Sequence, residues 1–301
     1  MRVNLSNIRG PGIRINKGNM TKVKGCEIIH SKSGIEVVSA QPTIIMNTLE
    51  QNQECGVITS TRKDLRCDAV IKYNTINRNK EFGIVCTGEN NHTRIEKNLS
   101  ISQNSKAGIK IENDAQVSIT NNKIANNFGQ GVLLGESTWA HIESNEIFEN
   151  FKANIALGGA KAADSVIINN EIRSSRCEGI FLIETGFCWI HRNNIVDNAD
   201  GIVMFDSSPH LSANQISNSM RTGVMCCGSS FPQMDKNQVY GNHQTGLNFR
   251  ENSEALMVEN KVFMNYYQLS SFNLNNKKIK KLMENNEIEG KNEFNNYCSI
   301  F

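Results

Sequence analysis

Hydrophobic and polar positions follow one short pattern that repeats along the whole chain. A Gly followed by an aliphatic residue returns every 22 to 27 residues, most often every 22 or 23. Asn154-Ile155 and Gln268-Leu269 stand at two of the expected places with the Gly replaced. The other pairs are Gly12-Ile13, Gly34-Ile35, Gly56-Val57, Gly83-Ile84, Gly108-Ile109, Gly131-Val132, Gly179-Ile180, Gly201-Ile202, Gly223-Val224 and Gly246-Leu247. Such a fixed period indicates a repeat protein.

A second series, Asn-x-aliphatic, runs in phase with these Gly residues. The repeat Gly usually follows nine residues after the Asn, and an apolar residue such as Ile142 stands three residues before it. One unit departs from the pattern, because Ser100 stands where an aliphatic residue is expected. The series is Asn47, Asn74, Asn122, Asn145, Asn170, Asn194 or its neighbour Asn193, Asn214, Asn237 and Asn260.

Within a unit the apolar residues alternate with a period of two, in short β-branched segments separated by Asn, Gly or Ser, which is typical of strands. A unit of this length cannot close a core of its own, so the units must stack. The sequence therefore predicts an all-β fold, a single-stranded right-handed parallel β-helix of about 12 coils over residues 1–270. Residues 271–301 are predicted to form a C-terminal capping tail, as a short helix or an atypical last coil.

Asparagine is the unusual component of the composition, at 42 of 301 residues. Asn is a poor former of helices and of ordinary strands, but it tolerates the left-handed backbone conformation that turns need. When identical coils stack, its side-chain amides can also hydrogen-bond from coil to coil. The chain length alone suggests about two domains. The repeat instead favours one continuous solenoid.

Charge and cysteine content narrow the functional classes. The formal net charge is +2, from 32 basic and 30 acidic side chains, which argues against a nucleic-acid or membrane-surface partner. The nine Cys include no Cys-x-x-Cys pair, and the N-terminus lacks an apolar signal segment. We therefore expect reduced thiols and a cytoplasmic location.

Several stretches carry a family resemblance, among them Ser207–Ile216, Ser39–Asn47, Asn145–Asn150 and Asn237–Asn242. They resemble the right-handed parallel β-helix repeat family, and most closely the β-helix regions of eukaryotic F-box and related adaptor proteins. The resemblance covers about residues 1–270 and implies the fold. It implies little about function, because the same coil hosts pectate lyases, epimerases, hydrolases and non-enzymatic binders. No F-box segment is recognisable, so ubiquitin-ligase activity is not implied.

One group of apolar residues is predicted to face outward. In the strand that follows the repeat Gly, the second and fourth residues should point away from the core. On three successive coils these positions are apolar, and a contiguous apolar patch of this kind usually marks an interface. Either a protein partner or the chain's own tail is expected to cover it. This outward apolar patch consists of Phe181, Ile183, Val203, Phe205 and Met225.

Two groups of polar residues are candidates for chemistry. Glu184 and Asp206 follow the repeat Gly by five residues on successive coils, which predicts a separation of about 5 Å, as in a retaining glycosidase pair. The alternative is that they are ordinary acidic residues at solvent-facing corners. Trp189, His191 and Arg192 form a second outward group that could stack on a sugar ring or be a simple surface cluster.

Two functional hypotheses follow. The first is a non-enzymatic scaffold or adaptor that binds protein partners through the outward apolar patch and an uncapped N-terminal end, within a large cytoplasmic or cytoskeletal assembly such as an axoneme. The alternative is a carbohydrate-active enzyme, hydrolase-like or lyase-like, or a glycan-binding β-helix that uses outward carboxylates. The lack of a recognisable catalytic motif favours the first hypothesis. No cofactor and no metal site are predicted.

Overall fold

The computed structural model describes residues 4–18, 20–63, 65–159, 164–271 and 276–294. In this part of the chain the backbone winds through three parallel sheets, A, B and C, and passes through each sheet once per coil. Sheet A contains β1 Asn4–Ser6, β4 Glu27–Ile29, β7 Thr48–Glu50, β10 Thr75–Asn77, β13 Ser100–Ser102, β16 Lys123–Ala125, β19 Glu146–Phe148, β22 Glu171–Arg173, β25 Asn194–Val196, β28 Gln215–Ser217, β31 Gln238–Tyr240, β34 Lys261–Phe263 and β36 Glu287–Glu289.

Sheet B contains β2 Ile13–Asn16, β5 Ile35–Val38, β8 Val57–Ser60, β11 Ile84–Thr87, β14 Ile109–Glu112, β17 Val132–Leu134, β20 Ile155–Gly158, β23 Glu178–Ile183, β26 Asp200–Phe205, β29 Thr222–Cys227, β32 Thr245–Phe249, β35 Tyr267–Ser271 and β37 Glu293–Phe294. Sheet C contains β3 Lys22–Lys24, β6 Thr43–Ile45, β9 Val70–Lys72, β12 Arg94–Glu96, β15 Gln116–Thr120, β18 Trp139–Glu143, β21 Val166–Ile168, β24 Trp189–His191, β27 His210–Ser212, β30 Gln233–Asp235 and β33 Leu256–Val258. The chain is therefore a right-handed parallel β-helix of about twelve coils, and the predicted fold class is confirmed.

Stacked aliphatic side chains form the core along the whole rod. Ile142 of β18 pairs in register with Ile119 of the preceding coil and with Ile167 of the following coil. All three side chains are fully buried. Because successive residues of a strand point to opposite faces, the residues on either side of each of these Ile residues point outward. A one-residue register slip would turn this core out to solvent, so the repeat fixes the register.

Two asparagine ladders tie the coils together at the corners. In the first ladder, which runs from Asn47 to Asn286, each side-chain amide donates to the side-chain oxygen of the Asn in the next coil, for example Asn145 to Asn170 at 3.0 Å. In the unit where the sequence left the choice between Asn193 and Asn194 open, the ladder residue is Asn193, and Asn194 lies in β25. The second ladder includes Asn52, Asn79, Asn104, Asn127 and Asn150. The high Asn content therefore satisfies buried backbone and side-chain groups at every coil.

The C-terminal end of the described solenoid departs from the three-sheet pattern. Helix α1, Asn276–Glu284, lies between β35 and β36 and takes the place of a strand of sheet C. Its Ile279 and Leu282 side chains are buried, and Lys278 forms an ion pair with Glu254. Asn286 then continues the first ladder, because it accepts hydrogen bonds from the backbone and side chain of Asn260. The helix thus covers the core at this end while the ladder continues beneath it.

The eight cysteines among the described residues carry free thiols, and all except Cys177 are buried. Burial raises the pKa of the Cys86 thiol to about 12, so this group stays protonated in the core. No helix in the described part of the chain is long and apolar enough to cross a membrane.

Candidate functional site

The outer face of sheet C brings together aromatic and titratable side chains from three successive coils. Trp189 of β24 pairs in register with His210 of β27, and His210 pairs with Gln233 of β30. The parallel outward row of the same strands consists of His191, Ser212 and Asp235. The residues between the two rows point into the core, since side chains alternate along each strand.

An aromatic group lies at the centre of this face. The Trp189 and His210 rings lie 4.6 Å apart between centroids, and Phe187 packs edge-on against Trp189 at 5.0 Å. Trp189 is 42% exposed, although a large aromatic ring gains most stability when it is buried. An exposed indole of this kind offers a flat apolar surface to a ligand.

A hydrogen-bond network holds the His210 ring in place. The ring nitrogen Nε2 of His210 forms a hydrogen bond with Oδ1 of Asp235, and the Ser212 hydroxyl donates to Oδ2 of Asp235 at 2.7 Å. Partial burial raises the pKa of Asp235, but the hydrogen bonds from Ser212 and His210 outweigh this effect and hold the pKa below its ordinary value. Asp235 is therefore ionised near neutral pH. We call Phe187, Trp189, His210, Ser212 and Asp235 the aromatic–histidine cluster.

The ionised carboxylate also determines the tautomer of His210. An ionised carboxylate only accepts hydrogen bonds, so Nε2 of His210 must carry the proton in the bond with Asp235. In the neutral ring Nδ1 is then the basic nitrogen, free of a proton. A His oriented by a carboxylate in this way is the arrangement of a general base.

His191 and Arg192, which the sequence grouped with Trp189, occupy different places. His191 lies in the outward row of Ser212 and is half-buried. Arg192 stands at the corner after β24 with a φ of 52°, and its side chain is exposed. Its backbone N–H donates to the carbonyl oxygen of Ser212 at 3.0 Å. The face therefore joins Trp189 to Phe187 and His210.

Glu184 and Asp206 lie at equivalent corner positions of successive coils, directly after β23 and β26. Asp206 is committed to the fold, because its Oδ1 accepts a hydrogen bond from the backbone N–H of Ser229 at 2.7 Å. Gly228 makes this approach possible, since a Cβ at Gly228, which has a φ of 64°, would lie 2.3 Å from Oδ1 of Asp206. The structure thus gives Asp206 a structural partner at the corner.

The outward apolar patch lies on sheet B, next to the same corner. Phe181 pairs in register with Val203, and Val203 pairs with Met225. The Phe181 and Phe205 rings lie 6.1 Å apart, and Ile183 is 42% exposed. Helix α1 packs beside β33 at the end of the rod, where Leu282 and Lys281 face Leu256 and Val258 across a groove. A protein partner on the patch or at the N-terminal end stays a prediction.

Sheet C carries a second His–carboxylate pair three coils earlier. Nε2 of His141 lies 2.9 Å from Oε2 of Glu143 within the same strand, and the Trp139 ring lies 6.5 Å from the His141 ring. The residues paired with His141 and Glu143 in the following coil are the apolar Val166 and Ile168.

Across the described ranges, no group of three or more His, Cys, Asp or Glu side chains is arranged to hold a metal ion.

Sequence reasoning missed four members of the aromatic–histidine cluster, namely Phe187, His210, Ser212 and Asp235. For His210, Ser212 and Asp235, the signal that could have found them is the number of residues between each one and the ladder Asn of its coil. Trp189 and His210 each precede their ladder Asn by four residues, and Ser212 and Asp235 each precede theirs by two. Aligning the units on Asn193 rather than Asn194 would have placed Trp189 beside His210.

The family comparison agrees with this architecture. The family described as right handed beta helix region matches the chain at residues 2–100, 88–216 and 178–300. The chain therefore belongs to the right-handed β-helix family, as the sequence predicted. No finding supports the closer likeness to F-box proteins. A search of the curated proteins found no match.

Three similar solved structures are carbohydrate-active enzymes. The Azotobacter vinelandii mannuronan C-5 epimerase AlgE4 A-module has a TM-score of 0.66 and 14% identity, over 96% of this chain and 91% of that one. The A-module of the epimerase AlgE6 from the same organism has a TM-score of 0.55 and 12% identity, over 97% and 78% of the two chains. The periplasmic alginate epimerase AlgG has a TM-score of 0.51 and 12% identity, over 94% and 75%. At these identities the likeness concerns the fold.

These structures correct the main functional hypothesis. The interpretation as a non-enzymatic scaffold or adaptor is wrong, because the similar solved structures are polysaccharide-modifying enzymes. The hypothesis relied on the outward apolar patch and on the lack of a recognisable catalytic motif. The polar groups of the site come together only through the pairing of strands in successive coils, which the sequence alone did not fix. The cytoplasmic location stays a prediction.

Proposed function

We propose that this protein is a carbohydrate-active enzyme that binds a polysaccharide over the aromatic–histidine cluster and transfers a proton at the bound sugar through His210. The observation that carries the proposal is the His210 ring, held by Asp235 and packed 4.6 Å from the exposed Trp189. An aromatic ring provides the apolar surface on which a sugar ring stacks, and the imidazole beside it provides the base.

The outward carboxylate used by this site is Asp235. Because Asp235 is ionised and fixed by Ser212, it keeps the basic nitrogen of His210 at Nδ1 and stabilises the imidazolium that forms when Nδ1 takes a proton. In a uronate residue the proton on the carbon beside the carboxylate is the acidic one. His210 removes it at Nδ1, and the electron pair is delocalised into the sugar carboxylate. In epimerisation water then donates a proton to the opposite face of that carbon, and His210 releases its own proton to water. In the lyase reaction the neighbouring C–O bond breaks instead, and the oxygen leaves with the proton that His210 holds.

This chemistry favours an epimerase-type or lyase-type reaction over hydrolysis. Retaining and inverting hydrolases need two carboxyl groups on either side of the scissile bond. Glu184 and Asp206 were the candidates for that role, but Asp206 is held by the backbone N–H of Ser229. The structural neighbours named as mannuronan and alginate epimerases support the same choice.

The proposal is tested by incubating the purified protein with mannuronan, polygalacturonate and a neutral β-glucan, and following the products by proton NMR and by absorbance of unsaturated ends. We expect turnover of an acidic polymer by the wild type, loss of turnover in His210→Gln, and retention in the matched control His141→Gln. Unchanged turnover in His210→Gln, or no turnover of any polymer, would overturn the proposal.

A further inference from the structure

A groove lies on the edge between sheets A and B, opposite sheet C. It is open to solvent and has a volume of about 430 Å³ across the corners that follow β10, β13, β16, β19 and β22. This volume is typical of a small-ligand site. We call it the edge groove, and its lining includes Arg78, Gln103, Asn126, Phe128, Phe151 and Arg176.

One wall of the edge groove is aromatic. Phe128 and Phe151 occupy the same position in successive coils, because their backbone N–H groups donate to the carbonyl oxygens of Asn104 and Asn127, each at 2.9 Å. Phe128 is 61% exposed and Phe151 is 49% exposed. The guanidinium of Arg176 lies 4.9 Å from the centre of the Phe151 ring and extends this wall by one coil.

The fold itself does not require aromatic rings at this position. The two preceding coils place Lys80 and Ser105 there, with the same backbone hydrogen-bond pattern. Exposed Phe rings contribute little to the core and increase the apolar surface in water. Two of them in successive coils therefore indicate a ligand that covers them.

The opposite wall of the edge groove is polar. Nε of Arg78 donates to Oε1 of Gln103 at 2.8 Å, and Asn126 and Glu149 continue the row in the next two coils. The row keeps its alignment because each of these residues has a φ between 54° and 57°. The guanidinium and amide groups of this row, spaced one per coil at about 4.8 Å, can bond hydroxyl or carboxylate groups along the rod, and the Glu149 carboxylate can accept hydrogen bonds from hydroxyl groups.

From these two walls we infer that the edge groove is a second glycan-binding site, which holds an extended glycan chain along the rod axis. A sugar ring presents an apolar C–H face to Phe128 and Phe151 and a rim of oxygen atoms to Arg78, Gln103 and Asn126. A protein partner would need a surface of about 800 Å², whereas the groove is small and mixed in character. The inference rests on the proposed function for the class of ligand, and the site lies away from the aromatic–histidine cluster.

Hydroxyl-radical footprinting of the full chain with a mannuronate hexasaccharide and with cellohexaose tests this inference. We expect the ligand to protect Phe128 and Phe151, and we expect the double variant Phe128→Ala, Phe151→Ala to weaken binding at this site about tenfold in a Trp189→Ala background. The matched control Tyr266→Ala removes an exposed aromatic ring at the same corner position four coils beyond the groove and should not change binding.

The outcomes separate this inference from the proposed function. Protection of Phe187 and Trp189 alone would overturn the second site and leave the first intact. Protection of Phe128 and Phe151 in a protein without turnover would support the second site against the proposed activity. Protection at neither place with either hexasaccharide would overturn both, and a difference between the two sugars would show whether Arg78 and Arg176 select a charged glycan.

Discussion

The outer face of sheet C carries two His–carboxylate pairs, and their surroundings differ. His141 and Glu143 lie two residues apart in one strand, and apolar residues follow them in the next coil. His210 and Asp235 belong to adjacent coils, and Ser212 fixes the carboxylate from the side. The His210 side chain is 19% exposed, against 32% for His141.

The Trp beside each His also packs more closely in the pair that spans two coils. Trp189 lies 4.6 Å from His210, whereas Trp139 lies 6.5 Å from His141 and donates its indole N–H to the carbonyl oxygen of Asp164 at 2.8 Å. The comparison teaches that residue types alone do not define a site on a β-helix. When the His and the carboxylate belong to two adjacent coils, contacts from both coils fix the orientation of their side chains. When both residues belong to one strand, their outward side chains are less restrained.

The largest expected difference between the two pairs is in turnover. We expect His210→Gln to lower kcat on the acidic polymer by about 10²- to 10⁴-fold, because it removes the proton acceptor. His141→Gln should leave kcat within about twofold, since surface substitutions away from a site have small effects. Steady-state kinetics on both variants, with circular dichroism to check folding, makes the comparison. Equal losses in the two variants would remove the distinction between the pairs.

The register that creates the difference can be tested through stability. Asn193→Ala should lower the free energy of unfolding by about 2 kcal/mol, because it breaks a buried ladder that places β24 beside β27. Asn194→Ala is the matched control and should cost less than about 1 kcal/mol, since Asn194 lies on the outer side of sheet A with a single side-chain bond to Glu171. Denaturant titration measures both values. A greater loss in Asn194→Ala would contradict the assigned ladder.

A smaller effect is expected in glycan affinity. Trp189→Ala should weaken binding of a mannuronate hexasaccharide about three- to tenfold, through loss of one stacking surface. The equivalent change at the weaker pair, Trp139→Ala, should alter the dissociation constant by less than about twofold, because that indole is turned toward Asp164. Isothermal titration calorimetry on the two variants gives the ratio. A larger loss in Trp139→Ala would move the binding site to the other pair.

The smallest expected effect is a change in the acid dependence of stability. The pKa of Asp235 is lowered in the folded state below its ordinary value of 3.8, so its contribution to stability is present above that pH and is lost as the pH falls through the folded value. Between roughly pH 5 and pH 3 the stability of the wild type should therefore fall more steeply than that of Asp235→Asn. Thermal melts across this range test the slope, and parallel curves would show that the network does not hold the ionised form.

The fold could be predicted from the sequence because its determinants are local and repeated. Each unit contains the same alternation of apolar and polar residues, the same corner Asn and usually the same Gly. These repeated positions predict which residues point inward, and Ile119, Ile142 and Ile167 pair in register as expected. Helix α1 at the C-terminal end was predicted only as one of two options, because a single capping unit has no repeats to compare.

The candidate site could be predicted only in part, because it depends on contacts between coils. Trp189 was predicted as an outward residue, but the choice between Asn193 and Asn194 left its register with His210 open. Asp235 and Ser212 are of types that occur at many outward positions, so only the hydrogen bonds across β27 and β30 distinguish them. Arg192 follows Trp189 closely in sequence, yet the corner at Arg192 directs the chain toward sheet A.

The most direct test of the central claim is a crystal structure of the His210→Gln variant with a bound mannuronate hexasaccharide. The proposed function predicts one sugar ring stacked on Trp189 and a sugar carbon beside the carboxylate within reach of the position that Nδ1 of His210 occupies in the wild type. A hexasaccharide bound at Trp139 and His141, or over Phe181 and Phe205 on sheet B, with none at Trp189, would contradict it.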